Sequence, residues 1–186
     1  MAQQGKSLFF LSILPACPEV LIEDCLVKNL TGSEMMASVW PSIEDASSNW
    51  DEVQSLGLVA QTFAPVDIAG FWQNKYVHVI DSTNPATRQF LWSQLQQNYY
   101  QNGIRNFWLD EDEGGQVAND AYPWTDYALG AGDQYAMLYP YFHQMGIYEG
   151  QLNASGSTEP TAVSLTRSSW AGSQRFASAV WSGDIL

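Results

Sequence analysis

Apolar residues in this chain gather in short runs, and the stretches between them carry helical spacing. "EMMASVWPSI" (34–43) is an apolar run broken by Pro41, which cannot donate to a ladder, so it predicts a buried strand ending near Trp40. "SSNWDEVQSLG" (47–57) starts on Ser and Asn, spaces Trp50, Val53 and Leu56 along one face, and stops at Gly57, as a short helix does. Residues 58–83 show no clear period and hold Pro65, Gly70 and several aromatics, which predicts an ordered excursion. "STNPATRQFLWSQLQQNYYQNG" (82–103) is the clearest helix, with Asn84 to cap it, Pro85 at its first position, Phe90, Leu91, Leu95 and Tyr99 recurring, and Gly103 as its stop. "IRNFWLD" (104–110) predicts a strand, and a second long helix runs from Asp133 to about Glu149 with Gly150 ending it. "AVSLTRS" (162–168) and "SAVWSGD" (178–184) are further strands, joined by a short turn or helix over "SWAGSQRFA".

Four apolar strands separated by helical connections imply an α/β fold with a parallel sheet and right-handed crossovers. Trp40, Asp110, Arg167 and Asp184 all fall at strand C-terminal ends. In (β/α) barrels that is the face on which active sites are built.

Bulk properties narrow the partners. The 186 residues suit one domain, and 46% apolar content is enough to bury a core. A net charge of −13 with only seven Lys and Arg argues against nucleic acid or an anionic membrane as partner. Cys17 and Cys25 are close enough to pair but have no metal-ligand spacing. "MAQQGKSLFFLSILPAC" has the outline of a signal peptide, with a buried strand or an unrelated start as the alternatives, so the compartment stays open. Its apolar run, Leu8 to Leu14, is far short of the ~20 residues that span a bilayer. The sequons Asn29-Leu30-Thr31 and Asn153-Ala154-Ser155 matter only in an exported chain. His78 and His143, without partners at ligand spacing, read as structural or solvent-facing.

The strand at 104–110 runs straight into four carboxylates, "NFWLDEDEGG" (106–115). Such a cluster is a calcium loop, a solvated turn or a catalytic site. With Asp110 as the first position of an EF-hand loop, Gly115 falls correctly at the sixth, but Ala121 stands where a bidentate glutamate is required. No metal or cofactor is indicated. A solvated turn stays open, yet Phe107, Trp108 and Leu109 set Asp110 at the boundary of the core, where a carboxyl pKa is easily moved. A second carboxylate, Asp184, ends another aromatic strand in "VWSGD". Two carboxylates at one end of a parallel sheet are what glycoside hydrolysis uses, although Asp184 also reads as a structural cap.

"GIRNFWLDEDEGG" followed by "LTRSSWAGSQRFASAVWSGDI" resembles glycoside hydrolase family 31, the α-glucosidases, α-xylosidases and relatives. Members carry W-x-D with acidic residues behind it, then R-S-x-x-A-G-x-x-R leading into W-x-G-D. "SVWPSI", "DSTNPATRQFLW" and "YALGAGDQYAMLYPYFHQMGIYEG" resemble the intervening segments. The resemblance runs from about residue 26 to the C-terminus, leaving 1–25 unmatched, and implies a partial (β/α)8 TIM barrel. By this resemblance Asp110 is similar to the catalytic nucleophile and Asp184 to the general acid/base. Arg175 matches the arginine that contacts the sugar in the cleaved subsite, Trp181 and Trp108 match its aromatics, and Trp40 belongs to the same wall. Arg167 joins that substrate-binding set, and either it or Arg175 is expected to keep Asp110 ionised with a low pKa. Asp184 is expected to start protonated, favoured by the negative field of the cluster. Glu111, Asp112 and Glu113 are expected to orient the site, and Gly114 stands where the family often has proline.

The implied function is a retaining, exo-acting α-glycoside hydrolase acting on an α-linked glucoside or xyloside, with slight leaning to the xyloside branch. An α-glucan lyase or a transglycosidase would share the nucleophile, and a carbohydrate-binding or structural remnant is the reading from another class. The four strands resemble the third to sixth of the barrel, so two unpaired sheet edges, poor solubility or association, and a pocket too incomplete to work alone are expected.

Overall fold

The computed structural model describes residues 34–62, 66–67, 76–114 and 125–182. Asp184, both cysteines, the signal-like start and the Asn29 sequon lie outside the described residues. In chain order the first elements are β1 (Met36–Val39), β2 (Ser42–Glu44), α1 (Trp50–Ser55), β3 (Gln61–Thr62), β4 (Val66–Asp67), β5 (Tyr76–Val79) and α2 (Pro85–Asn98). They are followed by β6 (Asn106–Leu109), β7 (Thr125–Tyr127), β8 (Gly130–Ala131), α3 (Gly132–Tyr135), α4 (Tyr139–Ser155), β9 (Ser164–Thr166) and β10 (Ser178–Val180).

The four strands expected to be parallel form one sheet in the order β1-β6-β9-β10, every pair parallel. Helix α2 lies in the crossover from β1 to β6, and α4 in that from β6 to β9. This is part of a (β/α)8 barrel. The stretch at 58–83, without a visible period, holds β3, β4 and β5, which enter two small antiparallel sheets, β2-β5-β4 and β3-β7-β8. Strands of two to four residues are too short to display an alternation.

Helix α2 forms as its sequence dictates. Asn84 Oδ1 accepts the Ala86 N–H at 2.9 Å, Pro85 occupies the first turn, and Thr87, Leu91 and Leu95 are buried. Leu91, Leu95, Phe107, Leu109 and Ile147 join Val39 and Ile43 in the main core between helices and sheet. Polar side chains set the strand ends: Asn106 donates to the Met35 carbonyl and accepts from Val163 N–H, tying β6 to both neighbours. His78 stacks on Trp50, with ring centroids 4.3 Å apart. His143 is fully buried against Ser82 Oγ at 3.0 Å, and burial lowers its pKa to about 4.

The second long helix departs from its expected ends. A turn at Ala136–Leu138 separates α3 from α4, where Pro140 opens a new first turn, and α4 continues to Ser155 before Gly156 closes it at φ 66°. Gly150 is no stop. It lies buried inside α4, and a Cβ there would overlap the Trp92 indole of α2, with Cε2 only 2.6 Å away. Gly150→Ala is therefore expected to destabilise by about 1–3 kcal/mol from overpacking, against a helix-propensity gain of ~1 kcal/mol. Urea denaturation measures this, and a stabilised variant would contradict the close helix–helix approach.

Candidate active site

The parallel register carries one row of residues across the sheet just beyond the strand ends. Val39 pairs with Leu109, Leu109 with Thr166, and Thr166 with Val180. The next residues are Trp40, Asp110, Arg167 and Trp181, and the ladder extends to the last three: Asp110 N–H donates to Val39 O, Arg167 N–H to Leu109 O, and Trp181 N–H to Thr166 O. Residues in one row of a parallel sheet face the same side, so the pairing brings these four together. Trp108, two residues before Asp110, shares its face and meets Trp181 edge to face at 5.6 Å.

Asp110 is buried between its neighbours. Trp40 Nε1 donates to its Oδ2 at 3.1 Å, and Arg167 Nη1 lies 3.4 Å from its Oδ1. Arg167 also binds Glu113 through Nε at 2.7 Å and Nη2 at 2.9 Å, and Glu111 through Nη1 at 2.7 Å. Three of the four carboxylates thus share one guanidinium. Burial alone would lower the Arg167 pKa, but its hydrogen bonds to Glu113 and Glu111 outweigh that and raise it.

Asp112 turns the other way. It is fully buried, accepting the Thr166 hydroxyl and the Ser168 N–H at 2.9 Å. Gln144 of α4 completes the network, its Nε2 donating to Thr166 Oγ1 at 3.1 Å and to the Ser168 carbonyl at 2.7 Å. Burial pushes the Asp112 carboxyl up to about 7. The cluster therefore tolerates its own repulsion by pairing three members with Arg167 and bringing the fourth close to neutrality.

The expected low pKa of Asp110 needs correction. Burial raises it, and although Arg167, the Glu111 N–H and Trp40 pull downward, they do not cancel the rise, to which Glu113 adds. Arg175 is not Asp110's ionic partner. It stands exposed on the turn Ser173–Phe176, and the contact to Asp110 comes from Arg167. Sequence reasoning missed the anchoring by Thr166 and Gln144, for which the only available sign was a hydroxyl residue beside Arg167 on a strand end.

Asp112 gives a pH prediction. An acid at about 7 when folded and 3.8 ordinarily takes up a proton on folding between those values, so stability is full below about pH 4 and falls as pH rises toward 7. The loss is on the order of 1.4 kcal/mol for each unit crossed. Asp112→Asn, which keeps an acceptor for Ser168 and gains a donor for Thr166, is expected to flatten the decline. Denaturation midpoints at pH 5 and pH 8 check it: an undiminished difference in the variant rejects Asp112 as its source.

These features define a parallel (β/α) barrel with its polar cluster at the strand C-terminal ends. The chain belongs to glycoside hydrolase family 31, matching the glycosyl hydrolases family 31 TIM-barrel domain over residues 18–186. It is 43% identical over 185 residues to Alpha-xylosidase A of Aspergillus niger, covering 90% of this chain and 25% of that protein. It is 34% identical over 171 residues to an uncharacterized family 31 glucosidase, ORF2, of Pseudescherichia vulneris. Among solved structures, a xylosidase from Aspergillus niger superposes with a TM-score of 0.77 at 41% identity, over 89% of this chain and 26% of that one. A family 31 α-xylosidase from a soil metagenome, complexed with xylose, superposes with a TM-score of 0.78 at 31% identity, over 91% and 24%. The chain spans about a quarter of the length of these α-xylosidases. Among the described residues no helix is long and apolar enough to cross a membrane.

Proposed function

We propose that this chain carries the catalytic carboxylates of a retaining α-glycoside hydrolase acting on α-xylosides or α-glucosides. The observation that carries the reading is Asp110 itself: a buried carboxylate on the first residue beyond β6, at the barrel end where substrates bind, faced by an arginine and an indole N–H. In the proposed double displacement an Asp110 oxygen bonds to the anomeric carbon as the glycosidic C–O bond breaks, and Asp184 gives its proton to the departing oxygen. Water, deprotonated by Asp184, then cleaves the glycosyl ester and restores the starting configuration. Trp181 and Trp108 form one wall for the sugar, and Arg175 contacts it from the turn at 173–176. Similarity to Alpha-xylosidase A favours a xyloside.

Because the chain spans about a quarter of such proteins, the test completes the barrel: residues 18–186 replace the matching segment of Alpha-xylosidase A. The chimera is expected to release free xylose of retained configuration from an aryl α-xyloside, followed by NMR. An anhydro sugar would identify a lyase, and a longer glycan a transglycosidase. A folded chimera without turnover on α-xyloside or α-glucoside sinks the proposal.

A further inference from the structure

We propose that Trp40 and Arg167 are positioning residues that clamp the Asp110 carboxylate from its two flanking strands, and do not belong to the sugar-binding wall. The inference rests on Asp110 as the nucleophile for its meaning in catalysis, but on the register for its geometry. Strand β6 lies between β1 and β9, and the first residue beyond each neighbour reaches inward to a different oxygen of Asp110: Trp40 to Oδ2, Arg167 to Oδ1. The backbone ladder continues to Asp110 and Arg167, and Trp40 directly follows Val39, whose carbonyl takes the Asp110 N–H, so the clamp is built on sheet pairing.

Trp40's donor is committed, and each nitrogen of Arg167 already faces a carboxylate. Trp40 is 7% exposed, and its single N–H goes to Asp110, leaving none for a sugar hydroxyl. In Arg167, Nε, Nη1 and Nη2 each meet a carboxylate, and the pairing with Glu113 is bidentate. Glu113 and Glu111 therefore hold the guanidinium, and the guanidinium holds Asp110 Oδ1. A carboxylate held at both oxygens cannot rotate freely, so one lone pair keeps a constant line of attack. The same contacts favour the ionised form against burial, which a nucleophile requires. Among the described residues, the charged groups acting on Asp110 are Arg167, from the end of β9, and Glu113, from its own turn, with the Glu111 and Trp40 N–H groups as donors.

The direct test titrates the Asp110 carboxyl by carbon-13 NMR in the 186-residue chain, its resonance assigned by its loss in Asp110→Asn. Trp40→Phe keeps an aromatic ring at the site and removes the N–H that Asp110 accepts, so the midpoint is expected to move upward. Arg167→Gln is expected to move it upward too, and Arg167→Lys, retaining the charge without the fork, to recover part of that movement. Trp170→Phe, at an exposed tryptophan, serves as the unchanged control. Covalent trapping of the barrel completed with Alpha-xylosidase A sequence by 5-fluoro-α-xylosyl fluoride, read by intact mass against pH, is expected to slow at least about tenfold in Trp40→Phe, as for loss of a hydrogen bond to a charged group. Midpoints unmoved in both Trp40→Phe and Arg167→Gln overturn the clamp. Should Arg167→Gln fail to fold, Trp40→Phe decides alone. A midpoint that moves in the 186-residue chain while the completed barrel is never labelled upholds the clamp and counts against Asp110 as nucleophile, so the two proposals fail separately.

Discussion

Asp110→Asn, introduced into the barrel completed with Alpha-xylosidase A sequence, is expected to lower kcat/KM for an aryl α-xyloside by about 10⁴-fold or more. The size follows from the step removed: an amide oxygen is a poor nucleophile, so no glycosyl ester forms and only slow direct attack by water remains. The fold should not suffer. Asn keeps the shape of the side chain and an acceptor for Trp40 Nε1, and burial already disfavours the Asp110 charge. An unchanged or higher urea midpoint together with lost turnover separates a chemical role from a structural one. Asp184→Asn should discriminate differently, losing most activity on glycosides with poor leaving groups and far less on aryl glycosides that depart without protonation. Equal losses on both substrate types would count against Asp184 as the acid.

The elements legible in the sequence were those whose signals are local and redundant. Asn84, Pro85 and the spacing through Leu95 each announce α2, and Pro41 marks the end of β1 from the residue itself. Strands β3 to β5 gave no such sign because two or four residues cannot show alternation, and β3 and β5 find partners in β7 and β2, far away in sequence. Gly150 misled for a related reason: a glycine that ends a helix and a glycine that admits a neighbouring indole look alike until Trp92 is seen against it. The candidate site divides in the same way. That Trp40, Asp110 and Arg167 end strands could be read directly, and a parallel register then aligns them. Asp110 could be set at the edge of the core, but the separate fates of the three carboxylates behind it could not be read, since nothing in "EDE" marks Asp112 as the one that turns into the core under Thr166 and Gln144. Its direction is set by backbone geometry, with Glu111 at φ 54° in the left-handed region.

That geometry makes Gly114 the most sensitive position of the turn. Gly114 has φ 87°, its carbonyl accepts the Tyr127 hydroxyl, and a Cβ built on it would fall within the Tyr139 side chain. Proline, frequent here in the family that the chain resembles, fixes φ near −65° and restricts the residue before it to extended conformations. Gly114→Pro is therefore expected to cost about 3 kcal/mol or more and to pull Glu113 from its bidentate pairing with Arg167. Gly114→Ala should cost less, combining left-handed strain with overlap on Tyr139. A double-mutant cycle tests the second contribution: a Tyr139→Ala background removes Cγ and the ring from the overlap, leaving the strain and the Cβ contact, so the alanine penalty should shrink. If proline proves neutral by urea denaturation, or the alanine penalty is the same in both backgrounds, the turn is not held by Tyr139 and relaxes to the proline-bearing shape. If both penalties appear as expected, the turn behind Asp110 is set by a glycine seated against a buried tyrosine in place of a proline.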